Sequence, residues 1–400
     1  MSVGELNPHL RLLLGPGPSP VHPRVLKAMS TNVVGHLDPD FLAVMDDCQV
    51  MLRDVFGTKN RVTFPVSGTG SAGMEAAVCN VIEPGDKAII CVNGVFGIRM
   101  TDVAERYGAE VIKVEAPWGQ PIDPADVKKA LDANPDAVLV GIVHAETSTG
   151  VLQPMEEIGA ACQSHGALLL MDCVTSLGGV PVEVDKWGVE IAYSGTQKCL
   201  SCPPGVAPLT MSERALGKMR ERKNKVASWY FDVSMIESYW GSDRSYHHTG
   251  PITMNYAIRE ALRLVFEEGL EARFDRHAMP EDIGGEVTFG TDGHCCVGDE
   301  VASPCLRDAD EVEGTPLAAS DRAFERSLVR VALEGHVDAL ATLLDGDTDV
   351  ANPMRCLAAL CLGGRDGAER LGQEITRAGR SPNAEEYGLL SQHAESEIMR

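Results

Sequence analysis

The stretch Tyr193-Ser194-Gly195-Thr196-Gln197-Lys198 follows the apolar run 189–192. This pattern predicts a buried strand that ends in a turn of small residues and delivers one lysine into a pocket. A lysine is costly to hold where apolar strands converge, and it loses its proton readily once it is partly desolvated. A neutral amine there is a nucleophile for carbonyl carbon, so Lys198 is a candidate for Schiff-base chemistry. Taken alone, the pattern is equally compatible with a surface lysine on a loop.

A second strongly apolar strand is predicted over residues 167–172, and it ends in the carboxylate of Asp172. In open parallel α/β sheets, ligands bind outside the carboxyl ends of the strands, so Asp172 and Lys198 should lie at one edge. Pyridoxal phosphate requires such a pair, because the carboxylate keeps the pyridine nitrogen protonated and the ring an electron sink. The alternative is that Asp172 only caps the turn after its strand.

Four motifs occur along the chain in the order in which one known family carries them. They are His144-Ala145-Glu146-Thr147-Ser148-Thr149-Gly150-Val151, Met171-Asp172, Ser194-Gly195-Thr196-Gln197-Lys198 and Tyr246-His247-His248-Thr249. Over about residues 12–277, the chain resembles the fold-type I, class V aminotransferases, and within them the alanine–glyoxylate and serine–glyoxylate branch. The resemblance implies an α/β large domain with a mostly parallel sheet of the seven-stranded type. It also implies pyridoxal 5'-phosphate as cofactor, alanine or serine as amino donor, and glyoxylate or a similar 2-oxo acid as acceptor.

A glycine turn over residues 67–73 follows a predicted strand and precedes a helix predicted over 74–82. Free N–H groups and the positive end of the helix dipole make such a turn an anion site. We assign Gly70 and Ser71 as backbone donors to a phosphate monoester. The glycines of the turn also satisfy the dinucleotide fingerprint, so an NAD-dependent oxidoreductase is an alternative. That fingerprint requires an acidic residue at the end of the next strand, where this chain has Asn93.

The other cofactor contacts are implied by the resemblance. Phe96 would stack on the cofactor ring, although a core phenylalanine is the alternative. Thr147 would bond the phenolic oxygen, and Gln197 would help to hold the phosphate. The N-terminal arm, with Gly15 and Gly17, would line the substrate entrance, whereas its composition alone also fits a rigid linker.

The resemblance further implies a homodimer, because Tyr246 and Thr249 match residues that reach the cofactor phosphate of the neighbouring subunit. Such a site would be complete only in a symmetric dimer. A polar surface loop is the alternative for this segment. His144 is expected to support the core rather than to act as a base.

Composition excludes several other functions. The formal net charge of −23 argues against nucleic acid as a partner, since backbone binding needs clustered Lys and Arg. No apolar run reaches the ~18 residues of a membrane span, and neither a signal peptide nor a C-terminal peroxisomal signal is recognisable. A cytoplasmic location is therefore expected, in which the twelve cysteines are free thiols. The Cys199–Cys202 pair lacks the further ligands of a metal site.

The resemblance ends after Ala278, and the composition changes there. Residues 279–400 contain 24 acidic residues, 10 arginines and no lysine. The family's small C-terminal domain and its carboxylate-binding arginine have no recognisable counterpart. Arg307 and Arg355 are candidates by charge only, and neither is assigned.

The predicted domain organisation has four parts: an N-terminal arm (1–22), a cofactor-binding large domain (23–278), a linker or disordered segment (279–314) and a helical region (315–400). The last region contains fragments that resemble degenerate ankyrin repeats; loosely packed helices or an altered terminus are the alternatives. Loss of the small domain leaves a second functional hypothesis. In it, the chain is a cofactor-binding pseudo-enzyme whose tail recruits a protein partner.

Overall fold

A seven-stranded sheet with helices packed against it forms the described part of the chain. The computed structural model describes residues 16–278 together with Gly4, Leu6 and Leu13. The predicted linker 279–314 and the predicted helical region 315–400, including its ankyrin-like fragments, lie outside the described residues.

The strands are Val62–Ser67 (β1), Lys87–Val92 (β2), Glu110–Glu115 (β3), Ala137–Val143 (β4), Ala145–Glu146 (β5), Val151–Leu152 (β6), Leu168–Asp172 (β7), Ile191–Tyr193 (β8) and Val206–Met211 (β9). The helices are Pro23–Met29 (α1), Pro39–Phe56 (α2), Gly70–Val81 (α3), Val95–Arg106 (α4), Pro124–Ala133 (α5), Glu156–His165 (α6), Glu213–Arg220 (α7), Val233–Trp240 (α8), Ile252–Glu268 (α9) and Leu270–His277 (α10).

The main sheet has the order β1-β9-β8-β7-β4-β2-β3. Neighbours from β3 to β8 pair in parallel, whereas β9 is antiparallel to both β8 and β1. It follows that β1 runs in the same direction as the five parallel strands. The mostly parallel α/β sheet predicted from the sequence is confirmed. The carboxyl ends of β1, β2, β4, β7 and β8 share one edge, where such sheets bind ligands.

Strand composition explains why this sheet is covered on both faces. Every residue of β7 and of β9 is buried, and β4 is buried at all but one position. Continuous apolar strands of this kind form when helices cover both sides of a parallel sheet. A β5–β6 hairpin continues from the end of β4 beside the carboxyl edge.

Helix α2 illustrates how local sequence sets the element boundaries. Asp38 accepts a hydrogen bond from the Asp40 N–H, Pro39 occupies the first helical position, and Gly57 ends the helix with a φ of 60°. These are the residues that helix termini favour. Among the helices of residues 16–278, none has the length and apolar composition needed to cross a bilayer.

The start of α3 differs from the sequence prediction. The glycine turn was expected to precede a helix beginning at residue 74, but α3 already begins at Gly70. Its glycines allow close packing on the sheet: a Cβ added to Gly73 would lie 3.1 Å from Tyr193 Cβ and 3.2 Å from Ala207 Cβ. The turn is therefore the first turn of the helix itself.

Candidate active site

Lys198 and Asp172 leave the same edge of the sheet. Strand β7 pairs in parallel with β8, and Asp172 lies opposite Tyr193 in this register. Both strands end at these residues, so the loop after Tyr193 carries Lys198 to the edge where Asp172 lies. Both side chains are buried, with exposed fractions of 3% for Asp172 and 9% for Lys198. The strand pattern of the sequence predicted this arrangement.

The Asp172 carboxylate is held by two donors from the chain. The Tyr193 hydroxyl donates to Oδ2 at 2.6 Å, and the Val174 N–H donates to Oδ1 at 2.9 Å. Burial raises the pKa of Asp172 to about 6, whereas these two hydrogen bonds act to lower it. A carboxylate in this environment gains most from a positively charged partner.

The N-terminal arm packs directly on the Lys198 side chain. The Lys198 amine donates a hydrogen bond to the Pro16 carbonyl. Gly17 has a φ of 112°, and a Cβ there would lie 2.6 Å from both Cδ and Nζ of Lys198. Ser19 fixes the arm, because its hydroxyl donates to the Lys198 carbonyl at 2.8 Å and its N–H donates to the Gln197 carbonyl at 2.8 Å. Gly15 lies outside the described residues.

The first turn of α3 meets two other segments of the edge. No side chain caps the N-terminus of α3. A Cβ added to Gly70 would lie 3.2 Å from Val174 Cγ2 and 3.6 Å from Gly195 Cα. The candidate donors Gly70 and Ser71 therefore lie beside the loops that follow Asp172 and precede Lys198.

Gln197 also belongs to this place, because its Oε1 is buried without a hydrogen-bond partner. A buried amide oxygen without a partner is uncommon in folded proteins, and the NH2 group of the same amide is the part that can donate to an anion.

A buried carboxylate that the sequence analysis did not single out joins Phe96 to Thr147. Glu146 is 1% exposed, and its Oε2 accepts from the Phe96 N–H at 3.1 Å. Its Oε1 accepts from the Ser148 hydroxyl at 2.7 Å and from the Ser148 N–H at 3.1 Å. Glu146 thus connects the start of α4, where Phe96 lies half-buried, to the β5–β6 turn that carries the half-buried Thr147. The sequence could have indicated this residue, because Glu146 lies within the 144–151 motif.

The ring of Phe96 has a cationic neighbour, since the Arg99 guanidinium carbon lies 4.7 Å from its centroid. Such cation–π contacts fix the orientation of an aromatic side chain.

Tyr246 and Thr249 are not brought into the buried part of this site. Tyr246 is 59% exposed, and its hydroxyl lies 3.4 Å from the exposed Thr249 Oγ1. The loop is anchored by His248, whose Nε2 lies 2.7 Å from Ser67 Oγ at the end of β1. This contact ties the loop to the end of β1, three residues before α3 begins at Gly70.

The other residues discussed in the sequence analysis lie in the protein core or outside the described residues. His144 is buried, contacts Ser176 Oγ through Nδ1 at 2.9 Å and packs edge-on against Trp187. Burial lowers the pKa of His144 to about 4, so the ring is a neutral core group. Cys199 and Cys202 are both buried, and neither is part of a disulfide bond. Arg307 and Arg355 lie outside the described residues.

The residues present fit pyridoxal phosphate. The uncapped N-terminus of α3 suits its phosphate, and the side-chain NH2 group of Gln197 is a possible further donor to it. The buried carboxylate of Asp172 suits its ring nitrogen, and the desolvated amine of Lys198 suits its aldehyde. The segments that carry these groups approach one another at Gly70, where there is little room for a side chain.

Comparison with known proteins gives one consistent result. Residues 11–280 match the family model of class-V aminotransferases. The chain is 45% identical over 295 residues to the (S)-ureidoglycine–glyoxylate transaminase of Bacillus subtilis (strain 168), which covers 69% of this chain and 71% of that protein. It is 42% identical over 270 residues to the alanine–glyoxylate aminotransferase of Rattus norvegicus, covering 67% of this chain and 65% of the relative.

Solved structures agree with these relatives. The alanine–glyoxylate aminotransferase from Nostoc sp. superposes with a TM-score of 0.68 and 52% sequence identity. The superposition covers 69% of this chain and 73% of the Nostoc protein. Across these comparisons, the chain spans about two thirds to three quarters of the length of the proteins that it matches.

Proposed function

Because this chain belongs to the class V aminotransferase family, we propose that it transfers an amino group from alanine or serine to glyoxylate or a similar 2-oxo acid. Its cofactor is pyridoxal phosphate. Glyoxylate is the acceptor in the names of both relatives and of the Nostoc structure. The observation that carries the proposal is the placement of Lys198 and Asp172, both buried, at the carboxyl edge of neighbouring parallel strands.

Lys198 is the proton-transfer group of the proposed reaction. When bound, the cofactor supplies an electron sink for the charge that develops on the substrate's α-carbon. Lys198 Nζ would take the proton from that carbon and pass it to the cofactor, which requires a neutral amine at the start of the step. Lys198 is 9% exposed, and its amine donates a hydrogen bond to the Pro16 carbonyl. The arm that carries Pro16 and Gly17 also covers the lysine on the side from which substrate enters.

The other residues hold and orient. The Asp172 carboxylate holds a proton on the ring nitrogen, and Phe96 stacks on the ring. Thr147 donates to the phenolic oxygen. The phosphate would be held by the N–H groups of Gly70 and Ser71 and by the side-chain NH2 group of Gln197, which is the donor half of its amide.

We also propose that the enzyme is a homodimer in which Tyr246 and Thr249 of a second copy complete the phosphate site. Their exposure supports this role, because Tyr246 is 59% exposed in the single chain. Aromatic side chains that stand out from a surface are enriched at protein interfaces. The dimer would then be the active unit.

The relatives favour the transaminase over the two alternatives. All of the proteins named above are transaminases, and nothing in residues 16–278 favours a pseudo-enzyme. The family match also supports our assignment of the glycine turn to a phosphate monoester rather than to a dinucleotide.

The visible absorbance of the purified protein tests the proposal. We expect a band from bound cofactor that disappears when an amino donor is added and returns with glyoxylate. L-alanine, L-serine and (S)-ureidoglycine are compared as donors, the last because the Bacillus subtilis relative is named for it. Two separate half-reactions also predict parallel lines in double-reciprocal plots.

Lys198→Ala should abolish the visible band and lower kcat by about 10³-fold or more, since general acid–base catalysis contributes at this scale. The matched control is Lys186→Ala, because Lys186 is an exposed lysine paired with Glu183 and its loss should change neither quantity. A wild-type protein that stays colourless when supplied with cofactor would contradict the proposal. So would a spectrum that no donor changes.

A further inference from the structure

Tyr193 is buried next to the Asp172 carboxylate, and its surroundings hold its side chain in place. The side chain is 0% exposed, and its hydroxyl donates to Asp172 Oδ2 at 2.6 Å. The ring also packs against the start of α3, where a Cβ added to Gly73 would lie 3.2 Å from Tyr193 Cδ2. Register between β7 and β8 places the two residues opposite each other, so the phenol is fixed by the sheet itself.

We infer that Tyr193 is a positioning residue for the cofactor: its phenol keeps the Asp172 carboxylate ionised and correctly oriented for the cofactor's ring nitrogen. This inference rests on the proposed function. A carboxylate accepts about four hydrogen bonds, and the protein supplies two, from Tyr193 and from the Val174 N–H. Accepting capacity therefore remains for the ring N–H.

The charges that face Asp172 explain why this donor matters. Burial is the largest influence and raises the pKa of Asp172 to about 6; the Tyr193 hydroxyl and the Val174 N–H lower it. From the packed elements, the Glu146 charge also raises this pKa and the Arg99 charge lowers it.

The other titratable groups near the carboxylate are the buried Cys173 thiol beside it in the chain and the Lys198 amine at the same edge. The pKa of Cys173 is raised far above its usual value by burial and by Asp172, so the thiol stays neutral. Lys198 is the partner of the cofactor aldehyde. Without the phenol, one neutral donor would remain, and the carboxylate would hold its proton into the neutral pH range.

The test is the pH dependence of cofactor affinity in cofactor-free wild type and Tyr193→Phe. The protonated carboxyl group cannot hold a charged ring nitrogen, so affinity falls below the pKa of Asp172. At about pH 8.5 the carboxylate is ionised in both proteins, and the Kd ratio of variant to wild type should be near 1. At about pH 5.5 the ratio should reach about tenfold, because the carboxyl group of the variant is protonated more completely. A group that titrates in the same way in both proteins cancels in the ratio.

Tyr107→Phe is the matched control. Tyr107 donates to Glu75 Oε2 at the same distance of 2.6 Å, but it follows α4 at the opposite edge of the sheet. Its Kd ratio should stay near 1 at every pH. Tyr193→Phe made in an Asp172→Asn background should likewise lose its pH-dependent effect, since no carboxylate remains to be held ionised.

If Tyr193→Phe does not fold, wild type grown with 3-fluorotyrosine replaces it. The fluorinated phenol is a stronger donor, and the pH midpoint of cofactor affinity should move down rather than up.

A Kd ratio for Tyr193→Phe that does not change with pH would overturn the inference, because loss of packing alone weakens binding equally at all pH values. An unmoved midpoint in the fluorinated protein would do the same. Failure of the wild type to bind pyridoxal phosphate at any pH would instead count against the proposed function.

Discussion

Two regions of the candidate site differ in how far a single chain completes them. The buried region consists of Asp172, Tyr193 and Lys198, all at most 9% exposed and bonded to groups of the same chain. The exposed loop consists of residues 246–249, where Tyr246 is 59% exposed. The groups that we propose for proton transfer are therefore organised by the fold itself, whereas the loop exposes Tyr246 and Thr249 to solvent. We infer that the proton-transfer chemistry depends on groups of a single chain, whereas retention of the cofactor depends on the homodimer.

Asp172→Asn should have the largest effect, because it removes the charge from the buried region without changing its shape. The amide cannot keep a proton on the ring nitrogen. We expect kcat/KM to fall by about 10³-fold, the scale of losing one preorganised electrostatic contact in an active site. The measurement is steady-state transamination of alanine and glyoxylate at saturating cofactor.

Asp185→Asn is the control for this loss. Asp185 also accepts one hydroxyl hydrogen bond at 2.6 Å, from Thr58, and one backbone N–H at 2.9 Å, from Lys59. It differs from Asp172 in being exposed and outside the site. An equal loss of kcat/KM in both variants would show that the Asp172 effect is structural.

Mixing inactive chains tests the exposed loop. One chain carries Lys198→Ala and the other carries Tyr246→Ala with Thr249→Ala. If the loop completes the site of a neighbouring copy, each mixed dimer contains one intact site. Random pairing of equal amounts should then restore about a quarter of wild-type activity at limiting cofactor.

The same two chains mixed after assembly, without exchange of subunits, are the control and should show no recovery. Absence of recovery in co-expressed chains would place the loop in its own chain's site. The difference between the two regions would then be one of exposure only.

Sequence patterns predicted the strands of the buried region because short stretches of neighbouring residues determine them. An apolar strand ending in a polar group marks Asp172, and an apolar strand followed by a small-residue turn marks Lys198. The glycines at the start of α3 misled the helix prediction, because the close approach of Gly73 to Tyr193 and of Gly70 to Val174 is a tertiary contact. The sequence pattern alone cannot distinguish a glycine that ends a helix from a glycine that allows the helix to pack closely on a sheet.

The residues that were missed depend on contacts between distant segments. Glu146 bonds the N–H of Phe96, fifty residues away. Tyr193 ends an apolar strand and is indistinguishable from a core residue until the register with β7 is known. In both cases the side chain acts on a partner that the sequence alone does not place beside it.

Glu146→Gln should destabilise the protein by about 3 kcal/mol. The carboxylate accepts from Phe96 and Ser148 through both oxygens, whereas an amide offers one acceptor and turns a donor toward a buried donor. Leaving a buried group unpaired costs about 1–3 kcal/mol, and more where a charged hydrogen bond is lost. Urea unfolding of the cofactor-free protein measures it. Glu237→Gln, at a more exposed glutamate paired with Arg61, should cost less than half as much.

The smallest effect concerns the pH dependence of stability. Burial raises the pKa of Asp172 to about 6 in the fold, above the ~3.9 of an unfolded aspartate. Between these values the folded protein binds more protons than the unfolded chain, so the contribution of Asp172 to the free energy of unfolding falls as pH rises. Compared with Asp172→Asn, the wild type should lose about 1 kcal/mol between about pH 5 and 7.5.

The difference between the two proteins isolates Asp172, because every other titrating group contributes equally to both. Burial lowers the pKa of His144 and of His248 to about 4, and these histidines make the fold less stable as pH falls. That trend is opposite in sign and cancels in the difference. If the difference in free energy of unfolding between the two proteins does not change with pH, Asp172 is ionised throughout this pH range, as a solvent-exposed aspartate would be. The buried region would then owe its properties to hydrogen bonding rather than to desolvation.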